Sequence, residues 1–291
     1  MALARMRGDV EIISVDSMAV YREMDLATAK PSNADRTEVP HHLIDVLDPA
    51  QECTVVLFQE LATQAIADVR SRGRVPLLVG GTGLYHRAVI DQLEIPGQFP
   101  EIRAQLEVLS DDPDGGAVLM ARLSELDPLA ASRIEPGNLR RLIRALEVTE
   151  GTGRPFSSFG PGLEDYGHSS VTQIGIELET PLLSGIIEDR VASWMDQGLL
   201  EEVAALSARS GGLSRTARQA IGYRELLGVV EQGADLKEAL EATVARTRVF
   251  ARRQRAWFRR DPRVDWVGLS GAYESAMVAI EHIAAGLEMG D

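Results

Sequence analysis

Two short apolar runs, Val10–Val15 and residues 75–79, each stop abruptly, the first in Asp16-Ser17 and the second in Gly80-Gly81-Thr82-Gly83. Runs of this length without alternation, closed by turn residues, read as buried parallel strands. Between them, residues 54–72 place Val55, Leu61, Ala65, Ile66 and Val69 at roughly helical spacing, with Gly73 as a stop signal. A strand, a crossover helix and a second strand commit the chain to an α/β core.

Residues 84–92 read as the helix after the second strand. Residues 101–150 then carry helical patterns broken at Asp111-Asp112-Pro113, Asp127-Pro128 and Glu135-Pro136-Gly137, with no strand signal. A glycine- and serine-rich connection, 151–170, leads to a strand over 171–178, after which Thr180-Pro181 reads as an N-cap followed by proline at the first helical position. The remainder is mostly helical, including a long segment over 236–260, with a last strand over 264–269 and a terminal helix. The expected organisation is a core formed by 1–97 and 170–291, interrupted by a helical insertion over 98–169.

A length of 291 residues with 45% hydrophobic content suffices for such a core. The single cysteine, Cys53, excludes an internal disulfide and a cysteine-based zinc site, leaving a buried or idle thiol. The adjacent His41-His42 pair lacks a third ligand at useful spacing. No apolar stretch approaches the roughly 20 residues of a membrane helix, and residues 1–7 are too short and polar for a signal peptide, so a cytoplasmic protein is expected.

In open parallel sheets ligands bind beyond the carboxyl ends of the strands, where Asp16-Ser17 and residues 80–83 fall, and these two loops are expected to face each other. Asp16 there either caps its own turn or takes a proton from a substrate; the glycines suit close approach to a phosphate or ribose. A net charge of −14 and a pI near 4.9 argue against nucleic acid. Charge is felt locally, however, because screening cuts off within about 10 Å. Arg248, Arg252, Arg255 and Arg259 stack on one helical face with no acid between them, and Phe250 and Trp257 are assigned to the opposite, packed side. This unmixed face favours a phosphate track over an ordinary solvated one. Arg140, Arg141 and Arg144 form a second basic group, which Glu147 and Glu150 could equally neutralise.

The string from Ile12 to Arg22 (IISVDSMAVYR), Thr28-Ala29-Lys30-Pro31, and Pro40 to Asp45 (PHHLID) resemble consecutive signatures of the tRNA dimethylallyltransferase family. Residues 76–85 (PLLVGGTGLY), 144–148 (RALEV), 219–224 (QAIGYR) and 252–259 (RRQRAWFR) continue the resemblance in order over almost the whole chain. It implies a P-loop NTPase-like core and transfer of a dimethylallyl group from its diphosphate to N6 of the adenosine 3′ of the anticodon, by a cytoplasmic monomer using Mg2+. It further implies Asp16 as general base and Arg190 at the diphosphate. Contacts to the tRNA anticodon loop fall to Asp16, Ser17, Met18, Ala19, Thr82, Arg103, Arg140, Arg141, Leu142, Ile143, Arg144, Gln219, Ala220, Ile221, Gly222, Tyr223, Arg224, Arg252, Arg253, Gln254, Arg255 and Arg259.

The sequence departs from that family in one large respect. The family carries Gly-x-x-x-x-Gly-Lys-Ser/Thr after its first strand, whereas the only lysines here, Lys30 and Lys237, follow Ala29 and Leu236. The N-terminal strand and P-loop are therefore expected to be missing, through a start at an internal methionine, with residues 1–8 matching the end of the helix that follows the loop. Ala27 replaces the family's usual glycine. Two other functions are consistent with these features, an adenylate prenyltransferase and a non-catalytic tRNA-binding module; the helical insertion and the arginine face argue against the former.

Overall fold

The computed structural model describes residues 1–160, 163 and 165–269. They divide into two compact units, one formed by Met1–Asp91 with the described part of His168–Asp291, the other by Gln92–Gly167.

The first unit opens with α1 (Ala2–Arg7), which Gly8 closes in the left-handed conformation at φ 72°, and continues into β1 (Val10–Val15). α2 (Asn33–Glu38) and the two-residue β2 (His41–His42) follow. α3 (Val55–Ser71) then crosses to β3 (Val75–Gly80), which feeds α4 (Gly83–Ile90). Thr54 caps α3, its side chain accepting the Leu57 N–H. The strand order is β2-β1-β3, all parallel, with Val10 opposite Val75 and Val15 opposite Gly80. Ile13 and Val15 of β1 pack with Tyr21, Phe58 and Tyr223 in the main core. Glu11 is buried in β1 too, neutralised by Arg72 at 2.7 Å, with His42 Nε2 also 2.7 Å from its carboxylate.

β3 departs from the expected burial. Among the described residues it pairs with β1 only, its residues are half-buried at best, and Val79 is 49% exposed. At its end, a Cβ on Gly80 would overlap the Val15 carbonyl, and both partners are backbone of the paired strands. Gly80→Ala is therefore expected to destabilise the unit by about 1–3 kcal/mol, read as a lower midpoint of urea unfolding.

The second unit is α5 (Pro100–Ser110), α6 (Gly115–Leu126), α7 (Pro128–Arg133) and α8 (Leu139–Thr152) around Leu106, Leu119, Leu123, Leu142 and Leu146. Asp127 ends α6 and caps α7, accepting the Ala130 N–H at 3.0 Å with Pro128 beside it.

The chain then returns to β4 (Gln173–Leu178), α9 (Thr180–Asp196), α10 (Leu199–Ser207), α11 (Tyr223–Gln232), α12 (Leu236–Phe258) and β5 (Val264–Leu269). β4 and β5 form a separate two-stranded parallel sheet, Gln173 opposite Val264 and Leu178 opposite Leu269. The N-cap of α9 is Glu179 rather than Thr180, and no side chain caps it, so Thr180-Pro181 already lies inside the first turn. The expected terminal helix lies outside the described residues.

Candidate functional site

At the carboxyl end of β1 the chain turns through Asp16, whose Oδ1 accepts the N–H groups of Met18 at 2.7 Å and Ala19 at 3.2 Å. Among the described residues nothing bonds Oδ2. The carboxylate thus caps its own turn with one oxygen and keeps the other free, so the two roles left open by the sequence are compatible. The Ser17 N–H donates to Thr82 Oγ1 at 3.3 Å, and the Thr82 N–H reaches the Val15 carbonyl at 3.4 Å. The two strand-end loops face each other.

The glycines after β3 also admit a neighbouring helix. A Cβ on Gly81 would overlap the Gln254 side chain, and one on Gly83 the Trp257 ring. Gln254 Nε2 donates to the Gly81 carbonyl at 3.0 Å. The end of α12 therefore seats directly on the glycine loop, and at Gly83 the Trp257 ring leaves no room for a side chain.

Residues 25–30 are braced against the start of α11. Lys30, almost fully buried, donates to the Tyr21 carbonyl, Asp25 Oδ1 and Asp45 Oδ1, each at 2.6 Å. Glu202 accepts from the Tyr223 hydroxyl and from the Asp25 N–H at 3.1 Å. Burial pushes the Glu202 carboxyl above the usual carboxylate range, against the opposing hydrogen bond from Tyr223. Gly222 sits at φ 91°, and a Cβ there would crowd Ala27 at 3.0 Å. The Ala27 methyl is thus accommodated by a neighbouring glycine, with no left-handed strain at Ala27 itself. Gln219 and Arg224 are exposed and joined at 3.2 Å, Ile221 is half-buried, and Ala220, Gly222 and Tyr223 are sealed in the core. The expected tRNA contacts of this segment therefore narrow to its exposed members. Glu202 was not legible as a partner, because it lies 21 residues from Tyr223 in sequence.

The arginine face of α12 is not unmixed. Arg248 pairs with Glu188, while Arg255 and Arg259 both reach Glu177, at 3.4 and 2.6 Å. Arg255 also donates to the Leu178 carbonyl at 2.9 Å, and the Arg259 guanidinium lies 5.3 Å from the Trp266 ring centroid. The neutralising acids come from β4 and α9. Arg252 and Arg253 are exposed and have no acid partner among the described residues, as is also true of Arg190 on α9. Phe250 is 44% exposed, so the packed side assigned to it is corrected: Trp257 is half-buried and Phe250 is not part of the core.

Within the second unit, Leu142 and Ile143 lie in the hydrophobic core, so contact with tRNA through their side chains is corrected to a packing role. Arg140 and Arg141 are exposed at the start of α8. Arg103 and Arg144 both turn toward the buried Glu147, and Glu150 pairs with Arg122 instead of the basic group of its own helix.

Comparison with known proteins places the chain in a family. The sequence profile of the family described as IPP transferase matches residues 19–261. The chain belongs to the IPP transferase family. It is 46% identical over 263 residues to the tRNA dimethylallyltransferase of Nocardioides sp., covering 90% of this chain and 84% of that protein. It is 48% identical over 261 residues to the protein of the same name from Roseiflexus castenholzii, covering 88% and 83%. The crystal structure of a full-length tRNA isopentenylpyrophosphate transferase from Bacillus halodurans aligns with 99% of this chain and 91% of its own, at a TM-score of 0.70 and 37% identity.

Magnesium is expected of an IPP transferase by resemblance, and the hydroxyl ligand of the family's phosphate-binding loop is absent from this sequence. Among the described residues no group of three His, Cys, Asp or Glu side chains could hold an ion. Asp16 has one oxygen committed to backbone N–H groups, and no Gly-Lys-Ser/Thr hydroxyl exists in the sequence. Among the described residues no helix is long and apolar enough to cross a membrane.

Proposed function

We propose that this IPP transferase is a tRNA dimethylallyltransferase in which Asp16 is the general base. The observation that carries this reading is Asp16 itself, its Oδ2 unengaged at the strand-end site. In the reaction, N6 of the adenosine 3′ of the anticodon attacks the allylic carbon of dimethylallyl diphosphate. The carbon–oxygen bond breaks with its electron pair leaving on diphosphate, and the N6 proton passes to Asp16 Oδ2. An exocyclic amine is a weak nucleophile, so loss of its proton as the new bond forms lowers the barrier. The adenosine leaves its stack at a cost of roughly a few kcal/mol, which phosphate contacts elsewhere on the tRNA offset. Exposed arginines without acid partners, Arg140, Arg141, Arg224, Arg252 and Arg253, supply such contacts, and a mononucleotide substrate would need none of them.

We infer further that the diphosphate cradle is contributed by residues other than these 291. The sequence holds no Gly-Lys-Ser/Thr. Among the described residues β3 pairs only with β1 and β4 only with β5, leaving Val79 and Ile176 (54%) exposed. A parallel strand entering between β3 and β4, followed by a phosphate-binding loop, would join the two sheets and face Asp16. Arg190 then stands as the candidate cation for the departing diphosphate.

The test of the function is transfer of labelled dimethylallyl to an anticodon stem-loop, with the site of alkylation read by mass spectrometry; alkylation anywhere but N6, or no binding of the stem-loop, sinks it. The arginines give a separate prediction. Arg252→Ala with Arg253→Ala should weaken binding of all tRNAs alike and shrink the slope of log affinity against log salt by roughly 0.7–0.9 per lost contact. Arg255→Ala with Arg259→Ala should leave that slope nearly unchanged, because Glu177 already neutralises both.

A further inference from the structure

Glu147 lies in α8 with 1% of its surface exposed, beside a core of leucine, isoleucine and alanine. A buried carboxylate is costly unless charge and hydrogen bonds compensate it. Three groups do so here. The Phe99 N–H donates to Oε1 at 2.8 Å, Arg103 Nη1 donates to Oε2 at 3.2 Å, and Arg144 Nη1 lies 2.9 Å from Oε1. The two arginines have further fixed points: Arg103 Nε donates to Glu107 at 2.9 Å, and Arg144 Nη2 to the Pro96 carbonyl at 2.7 Å. Gly151, one turn beyond Glu147, leaves room for the Phe99 ring, where a Cβ would overlap it. One buried anion therefore gathers the start of α5 and two guanidiniums onto α8, while both arginine side chains stay about a quarter exposed.

We propose that Glu147 is a positioning residue for RNA recognition: it holds Arg103 and Arg144 in a fixed arrangement toward the phosphates of the anticodon stem-loop. This rests on the reading of the chain as a tRNA-binding enzyme. The alternative for a carboxylate between two arginines is plain neutralisation, and the two differ in sign. If Arg103 and Arg144 act only as charge, removing the anion raises affinity for a polyanion. If they act by held geometry, removing it lowers affinity, because guanidiniums that must be ordered on binding lose conformational entropy at that moment.

The test uses the 291-residue chain, a fluorescent anticodon stem-loop and the variant Glu147→Gln, which keeps the shape and an acceptor for the Phe99 N–H but removes the charge. Affinity is expected to fall about tenfold at temperatures well below unfolding, despite the chain becoming less negative. In a background carrying Arg103→Ala and Arg144→Ala, the same substitution is expected to change affinity by less than about twofold, since residues acting through one another are non-additive. A loss that persists in that background marks a general fold defect and overturns the proposal, as does unchanged or raised affinity in the single variant. Should Glu147→Gln not fold, Arg103→Lys tests the same grip, retaining charge without the forked guanidinium; wild-type affinity there overturns it. If the wild-type chain fails to bind the stem-loop, the tRNA reading and the proposal fall together, whereas binding by wild type with an unaffected variant removes the proposal alone.

Discussion

In the chain completed with its phosphate-binding loop, Asp16→Asn is expected to lower the rate of dimethylallyl transfer by about 100-fold to 10,000-fold, the usual cost of removing a general base, while the dissociation constant for tRNA stays within about twofold. The geometry makes this substitution unusually clean. Oδ1 of Asp16 holds the turn through the Met18 and Ala19 N–H groups, and an asparagine carbonyl can accept both in the same way. Only the second oxygen changes, becoming an amide nitrogen that cannot take the N6 proton. Asp16→Ala separates the two roles, because it also removes the cap and is expected to destabilise the fold by about 0.5–2 kcal/mol. Single-turnover rates with saturating tRNA, alongside thermal melts, would measure both. A wild-type rate in Asp16→Asn reduces Asp16 to a turn cap.

The parts of this site that were legible in the sequence are those made by local pattern. β1 and β3 end where their apolar runs break, and α3 begins at a threonine whose side chain caps it, so the loops carrying Asp16 and Thr82 could be brought together before any coordinates. What failed were inferences about charge. Arg248, Arg255 and Arg259 read as free because no acid lies near them in sequence, yet Glu188 and Glu177 meet them from 60 to 82 residues away. Helical spacing shows which arginines share a face and says nothing about which element packs beside it. Glu11 shows the same limit, since an acid inside a strand is intelligible only once His42 and Arg72 arrive from elsewhere. The glycines after β3 were recognised as a close approach, but the approaching body, α12 through Gln254 and Trp257, is more than 170 residues away in sequence.

Supplying the chain with an upstream strand and phosphate-binding loop is expected to raise transfer by at least about 100-fold, since a single preorganised donor to a developing anion is commonly worth 100-fold to 1,000-fold and such a loop provides several. Affinity for tRNA should hardly move, because the exposed arginines on α8, α11 and α12 are already in place without it. The strand should also stabilise the unit independently of catalysis. Between β3 and β4 it would cover Val79 and Ile176, and burying apolar surface contributes roughly 25 cal/mol per Å2. A higher melting temperature and slower amide exchange in β3 and β4 are therefore expected together with the gain in rate. The two readouts discriminate between sources of activity. Stabilisation without transfer would leave the strand placement standing and place the diphosphate cradle elsewhere, with Arg190 the first residue to examine. Full transfer by the 291 residues alone would mean that the diphosphate is held by groups already present, and the inference of an external cradle would be wrong.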